Sequence, residues 1–287
     1  MSGLKEIRNR ISSVSSTMQI TNAMKMVSAA KLKKAQDSIS ATLPYSNRLS
    51  GLIQNISNSG DSLDSPFFIQ RSIKKILVVA ITSNKGLCGG FNSNVIKEVS
   101  RLIETKYLSK KVEIICIGKK GGDVLSKKNN VIDSFNSVYD EFSYENVKKI
   151  AELFMEKFSD ESYDEIILVY NHSKNAAAQH LTIEPYLPIE EDAEESTDQA
   201  SRDYIFEPSQ SEILNELIPK ALVVQLFKAI SDSIAGEHGA RMTAMHKATD
   251  NASEIRDQLK LTYNKARQTA ITNEILEIVG GAEALNS

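Results

Sequence analysis

The stretch ILVVAITSNKGLCGGFN, residues 76–92, decides how the middle of this chain is read. Six apolar residues, Ile76 to Ile81, lead into a glycine-rich turn, and a helical pattern follows. A strand buried on both faces that runs through a tight turn into a helix is the opening unit of a parallel α/β sheet. The same layout serves as a phosphate cradle, where glycines let backbone N–H groups approach an anion at a helix N-terminus. The spacing argues against the cradle. A P-loop needs GxxxxGK[ST], but Lys85 precedes the glycines; a dinucleotide fingerprint needs GxGxxG, but Gly86, Gly89 and Gly90 give GxxGG. Gly118, Gly121 and Gly122 repeat GxxGG after another apolar run. Two tight strand-to-helix turns are the simpler expectation.

Working outward, further strands are expected at Val112–Ile117 and Ile166–Tyr170, with helices at Asn94–Tyr107, Lys119–Lys128 and Tyr144–Phe158. Residues 176–188 read as an extended edge or hairpin piece. Alternating β and α elements with short connections imply right-handed crossovers. The region 73–208 is therefore expected to be a Rossmann-like α/β domain with an open, mostly parallel sheet. Its acidic run EEDAEESTD (190–198) reads as a solvated surface loop.

The flanks carry a different period. Residues 1–57 read as one helix, with Leu4, Ile7, Ile11, Val14 and Met18 on a heptad seam that then shifts phase to Ile20, Met24 and Val27. Pro44 predicts a kink or short break near Leu43. Residues 209–287 read as a second helix whose seam is Met245, Ala248, Ala252, Ile255, Leu259, Thr262 and Ala266, closed near Gly280-Gly281. At ~1.5 Å per residue these helices reach roughly 80 and 110 Å, more than a domain about 30 Å across can cover. The economical arrangement is a long antiparallel coiled coil of the two terminal helices, with the α/β domain inserted between them. The longer C-terminal helix should then extend alone at its tip.

Composition excludes more than it identifies. Hydrophobic content of 41% and net charge of −3 are ordinary for a globular protein. Cys88 and Cys116 cannot form a disulfide framework or a zinc site by themselves. No apolar run reaches the roughly 20 residues that span a bilayer, and MSGLKEIRNR lacks a signal core. The four histidines lack metal-ligand spacing, and no GxSxG, HExxH or CxxC occurs. No catalytic residue, cofactor or metal is expected. Residues 1–36 carry seven Lys/Arg against Glu6 alone, which suits a solvated face or an acidic partner around the rod. Nucleic acid is not expected, because no aromatics interleave the basic residues.

Four separated motifs in order carry a resemblance: MQITNAMKMVSAAKLKKAQ (18–36), SNKGLCGGFN (83–92), GEHGARMTAMHKATDNA (236–252) and LTYNKARQTAITNEILEIVGGAEAL (261–285). The chain resembles the gamma subunit family of bacterial-type F-type ATP synthases over essentially its whole length. The resemblance implies a central-stalk rotor inside a hexameric ring of alpha and beta subunits, beside an epsilon subunit and on a membrane c-ring. It would couple proton or sodium flux to catalysis in the beta subunits. It implies a peripheral place at the cytoplasmic face of the bacterial inner membrane, reached only through the complex. Contacts with the ring are implied for Met24, Lys25, Lys31, Lys33, Lys85, Cys88, Arg241, Gln268, Thr272, Glu274, Ile275 and Ile278, with Lys85 and Cys88 as surface groups. RDYIFEPS (202–209) resembles the segment facing the c-ring and epsilon, with Tyr204 and Glu207 as contacts. Position 22 is Asn where that family commonly has lysine. The rival readings are a nucleotide-binding α/β enzyme with helical oligomerisation arms and a passive coiled-coil tether.

Overall fold

The computed structural model describes residues 2–57, 65–175, 178–189 and 210–286. In chain order these form helix α1 (Ser2–Ser57), a 3-10 turn (Pro66–Phe68), β1 (Lys75–Ile81), α2 (Phe91–Glu104), β2 (Lys111–Ile117) and α3 (Lys119–Leu125). There follow β3 (Val131–Ser134), a 3-10 turn (Ser137–Tyr139), α4 (Tyr144–Ser159), β4 (Glu165–Ser173), β5 (Gln179–Leu187) and α5 (Gln210–Asn286). The chain divides into two compact units: residues 1–28 with 241–287, and residues 29–240. The boundary cuts through both long helices instead of falling at their ends.

The larger unit holds a five-stranded sheet of order β3-β2-β1-β4-β5. Strands β1 to β4 are parallel and β5 runs antiparallel to β4 on the edge, so Gln179–Leu187 supplies the hairpin strand expected within 176–188. β3 was not evident in the sequence, because VIDS is four residues long and only half covered. β1 is buried from Ile76 to Ile81 and alternates its side chains between two cores. Leu77, Val79 and Ile81 meet Phe154 and Phe158 of α4 and Leu214, Ile218, Leu222 and Leu226 of α5. Ile76, Val78 and Ala80 meet Val95, Val99 and Leu102 of α2. The first turns of α5 are thus a core layer of the sheet. Ser143 caps α4, its hydroxyl accepting from the Asn146 N–H, which satisfies an otherwise orphaned donor.

In the smaller unit the two chain ends pair antiparallel. Thr21 Oγ1 lies 2.8 Å from Thr249 Oγ1, and an Arg256 N–H reaches Met18 Sδ at 3.7 Å. The α1 seam does not change phase. Leu4, Ile7, Ile11, Val14 and Met18 are followed by Thr21 and Ser28, both buried, whereas Ile20 and Val27 are more than half exposed. The period of 3.5 continues through small polar residues, which the apolar pattern alone could not register. On α5, Met245 and Ala252 are buried, but Ile255 faces outward.

Two helix boundaries also differ from expectation. α1 runs unbroken through Pro44, with the break near Leu43 absent; the proline removes a single backbone donor from a long ladder. α5 passes through Gly280-Gly281 to Asn286, since glycine lowers helix propensity without forbidding the conformation. No described helix is long and apolar enough to cross a membrane.

Candidate functional site

The glycine turn is built from Thr82 outward. Thr82 is fully buried; its N–H donates to the Ile117 carbonyl at 2.8 Å, and its Oγ1 accepts from the Gly121 N–H at 2.9 Å. The neighbouring turn must approach it closely. A Cβ on Gly118 (φ +105) would lie 2.1 Å from the Thr82 carbonyl oxygen, and one on Gly121 would lie 2.8 Å from Oγ1. The second GxxGG is therefore a steric fit to the first turn.

Several of the N–H groups that a phosphate cradle would present are already used. Lys119 N donates to Asn84 Oδ1 at 3.0 Å and Lys120 N to the Ser83 carbonyl at 3.0 Å. On the α2 side, Phe91 N donates to the Cys88 carbonyl. Asn92 turns back into the loop: Oδ1 accepts from Ser83 N at 2.9 Å, and Nδ2 donates to Ser83 Oγ at 2.8 Å and to Cys88 Sγ at 3.3 Å. These donors are committed within the turn and are not available to an anion. Among the described residues no cluster could hold a metal ion.

This geometry corrects one expectation for the turn and keeps another. Cys88 is not a surface group; it is 2% exposed beneath the loop, held by Asn92, whereas Lys85 is exposed. Cys116 is buried too, and burial pushes its thiol up to about 12, so it stays protonated and unreactive. Leu87 adopts φ +62 and is 65% exposed, an unusual backbone for a γ-branched residue, which the loop presents outward.

The remaining contact residues divide by burial. Arg241, one of the implied ring contacts, is 7% exposed and engaged within the chain. Met24 and Lys25 are half-buried, while Lys31 and Lys33 are exposed on α1. Gln268, Thr272 and Glu274 are exposed on α5, with the Thr272 hydroxyl donating to the Gln268 carbonyl at 2.9 Å. Every residue from 271 to 282 is exposed, including Ile271, Ile275, Leu276, Ile278 and Val279. Five large aliphatic side chains thus stand exposed near one helix end, a patch of the kind that marks interaction sites. Tyr204, Glu207 and the acidic run 190–198 lie outside the described residues.

Two features were missed at the sequence level. Ile20, Met26 and Val27 form an outward apolar set on α1, each more than 55% exposed, hidden by assigning Ile20 and Val27 to the seam. On α5, Ser231, Asp232, Ser233 and Glu237 form a buried polar row, and His172 Nδ1 lies 2.7 Å from Asp232 Oδ2. Burial holds the Asp232 carboxyl above its ordinary range, against the pull of His172. Beside them Gly236 lets α5 approach: a Cβ there would meet the Phe91 ring at 3.3 Å and the Asn171 carbonyl at 3.4 Å. Asn171 in turn donates to the Phe91 carbonyl at 2.9 Å, tying β4, α2 and α5 at the base of the glycine turn.

Comparison with known proteins follows the same outline. The family model described as ATP synthase matches residues 3–285. The ATP synthase gamma chain of Flavobacterium psychrophilum is 62% identical over 289 residues, covering 99% of both chains. That of Flavobacterium johnsoniae is 60% identical over 287 residues and covers both chains completely. Among solved structures, a chain of the Euglena gracilis mitochondrial ATP synthase rotor in rotational state 1 aligns with a TM-score of 0.67 at 21% identity, covering 94% of this chain and 99% of that one.

Proposed function

The chain belongs to the ATP synthase gamma chain family, and from that premise we propose that it is the central-stalk rotor subunit of an F-type ATP synthase. It has no catalytic site of its own and transmits rotation of an ion-driven c-ring to catalytic sites on the beta subunits. The observation that carries this reading is the end of α5, where twelve successive residues, 271–282, stand exposed on a helix rich in Ile, Leu and Val. A rotating shaft needs a bearing surface without deep pockets, because it must meet its sleeve in several orientations. A smooth helix with short aliphatic side chains supplies that. Ile275 and Ile278 would seat in the ring formed by alpha and beta subunits, with Gln268, Thr272 and Glu274 near its waist.

Exposed and half-buried cations serve the same end along α1. Lys25, Lys31, Lys33 and, on the glycine turn, Lys85 would meet acidic beta-subunit surfaces through solvated contacts that are individually weak and easily exchanged. Met24, Ile20 and Met26 would add an apolar fringe. Arg241 and Cys88, being covered, act by fixing α5 and the glycine turn instead of touching the ring. Tyr204 and Glu207 remain the proposed contacts with the c-ring and epsilon subunit. The chain would be peripheral, at the cytoplasmic face of the bacterial inner membrane. The test is co-purification: the tagged chain should bring down alpha and beta subunits from membranes, and failure to do so overturns the reading. Micromolar ATP binding by the isolated chain would count equally against it and favour a nucleotide-using enzyme.

A further inference from the structure

In a rotor the sheet and the helix that leaves it must turn as one body, so the contact between them has to carry torque. Much of that contact is apolar. Leu214, Ile218, Leu222, Leu226 and Ile230 of α5 lie against the sheet and α4, and Phe227 stacks on Phe142 with ring centroids 4.6 Å apart. Apolar attraction is non-directional. It opposes lifting the helix off the sheet far more than turning the helix in its seat. A shaft under load also needs contacts that fix its rotation.

The β4–β5 hairpin supplies contacts of that second kind. The hydroxyl of buried Tyr186 donates to the Leu222 carbonyl at 3.0 Å. One helical turn on, Gln225 Nε2 donates to Glu184 Oε1 at 2.7 Å and to the Pro185 carbonyl at 3.1 Å. Glu184 is itself held, because its other oxygen accepts from the Tyr170 hydroxyl of β4 at 2.6 Å. Two turns further, Asp232 Oδ2 lies 2.7 Å from His172 Nδ1. The loop end of the hairpin then closes on Gly236, where an added Cβ would meet the Asn171 carbonyl oxygen and Gln179 Cγ, each at 3.4 Å.

These positions form one line. At about 100° per residue, Leu222, Gln225, Asp232 and Gly236 fall within about 80° of one another around α5, and they span roughly 21 Å of its length. Turning α5 about its axis would therefore strain all four contacts at once, whereas its apolar side chains could re-seat on their neighbours. We propose that the β4–β5 hairpin is the torque key of the rotor, with Tyr186, Gln225 and Asp232 fixing the rotation of α5 on the sheet and Gly236 forming the slot that the hairpin enters. α5 continues past this row as an unbroken helix to Asn286, so a load on the sheet passes into the shaft without slip. The proposal rests on the rotor reading and adds the residues through which the sheet grips the shaft.

The test uses the complete synthase reconstituted in vesicles, carrying this chain as wild type or as the variant Tyr186→Phe/Gln225→Met/Asp232→Leu. Each substitution keeps the bulk of the side chain and removes its polar tip, so burial is preserved. Glu184 keeps Tyr170, and His172, whose side chain is 46% exposed, can turn to water. The full-length variant chain should accordingly melt close to wild type. Its synthase should hydrolyse ATP at the wild-type rate yet lose most of its ATP-driven ion pumping, because the shaft turns without carrying the sheet. The variant Tyr186→Phe/Gln225→Met/Asp232→Asn, which returns a hydrogen-bonding tip beside His172, should recover part of the pumping. Undiminished pumping by the first variant overturns the proposal. So does a variant whose pumping and hydrolysis fall together, or whose chain melts far below wild type, since either result would make these contacts a matter of folding alone. If the wild-type chain fails to enter a synthase with alpha and beta subunits, the rotor reading falls first and takes the key with it.

Discussion

The two ends of α5 have similar apolar content and opposite fates. Near its start, Leu214, Ile218, Leu222, Leu226 and Ile230 are at most 3% exposed, packed with the sheet and α4. Near its end, Ile271, Ile275, Leu276, Ile278 and Val279 are 49–71% exposed. The helical repeat says which face is apolar, but not whether the surface that covers it belongs to the same chain. That distinction comes from tertiary placement, and mutations should separate the two ends cleanly. Leu226→Ala should destabilise the protein by ~2–5 kcal/mol through lost burial and the cavity left behind. Ile278→Ala should change stability by no more than about 0.5 kcal/mol, as surface substitutions do. Both can be read in denaturant melts. A large stability loss at Ile278 would mean that the tail is covered within the chain and would remove it as a bearing surface.

The same contrast between covered and open positions applies to the glycines. Gly118 sits against the Thr82 carbonyl with φ +105, whereas Gly280 and Gly281 have nothing within 4 Å of an added Cβ. Gly118→Ala should cost about 3 kcal/mol, from left-handed strain and a clash with main chain that cannot retreat. Gly281→Ala should be neutral or slightly stabilising, by up to about 1 kcal/mol, since alanine is the better helix former. Comparable melting points for wild type and Gly118→Ala would break the argument that the second turn is glycine-rich for steric reasons.

These positions also show what the sequence could carry. The central strands were legible because continuous runs such as Ile76–Ile81 are short, β-branched and bounded by turns. The parallel order followed from alternation with helices, and the edge hairpin from 176–188. The failures share a cause, which is that polar and small residues can be core. Thr21 and Ser28 occupy the α1 seam, so a count of apolar residues slipped to Ile20 and Val27. Cys88 belongs to a loop whose interior is knit by Ser83 and Asn92, so a glycine-rich turn did not imply an exposed thiol. β3 left almost no trace in four residues.

Asp232 extends the contrast to charge. Its carboxylate is buried on α5, whereas that of Asp250 on the same helix is 65% exposed near His246. Burial raises the Asp232 pKa in the folded state above its unfolded value near ~3.9. The folded protein therefore takes up its proton first. Stability from this group is fully present below the unfolded pKa and is lost as pH rises through the folded one. Asp232→Asn should accordingly gain most on wild type at neutral pH, with the gain shrinking as pH falls towards about 4. A constant offset between wild type and Asp232→Asn from pH 4 to 8 would show that the buried carboxylate is not the titrating group.

The smallest effects should come from the paired seam, where they bear most directly on how the two chain ends associate. Thr21 and Thr249 share one hydrogen bond at 2.8 Å; each hydroxyl also has a carbonyl of its own helix within reach, Met18 for Thr21 and Met245 for Thr249. Replacing one with valine keeps the shape and removes the bond between the helices, leaving the other hydroxyl only the carbonyl of its own helix, at about 1 kcal/mol. Replacing both removes donor and acceptor together, and the double variant Thr21→Val/Thr249→Val should be nearly as stable as wild type. The coupling read from the double-mutant cycle is then close to the cost of a single change. Strict additivity would mean that the two hydroxyls do not meet, and with them would go the antiparallel register that places Met18 beside Arg256. If coupling is found, the polar seam is a register device. It favours one alignment of two otherwise permissive helices, as a single buried polar residue does in coiled coils.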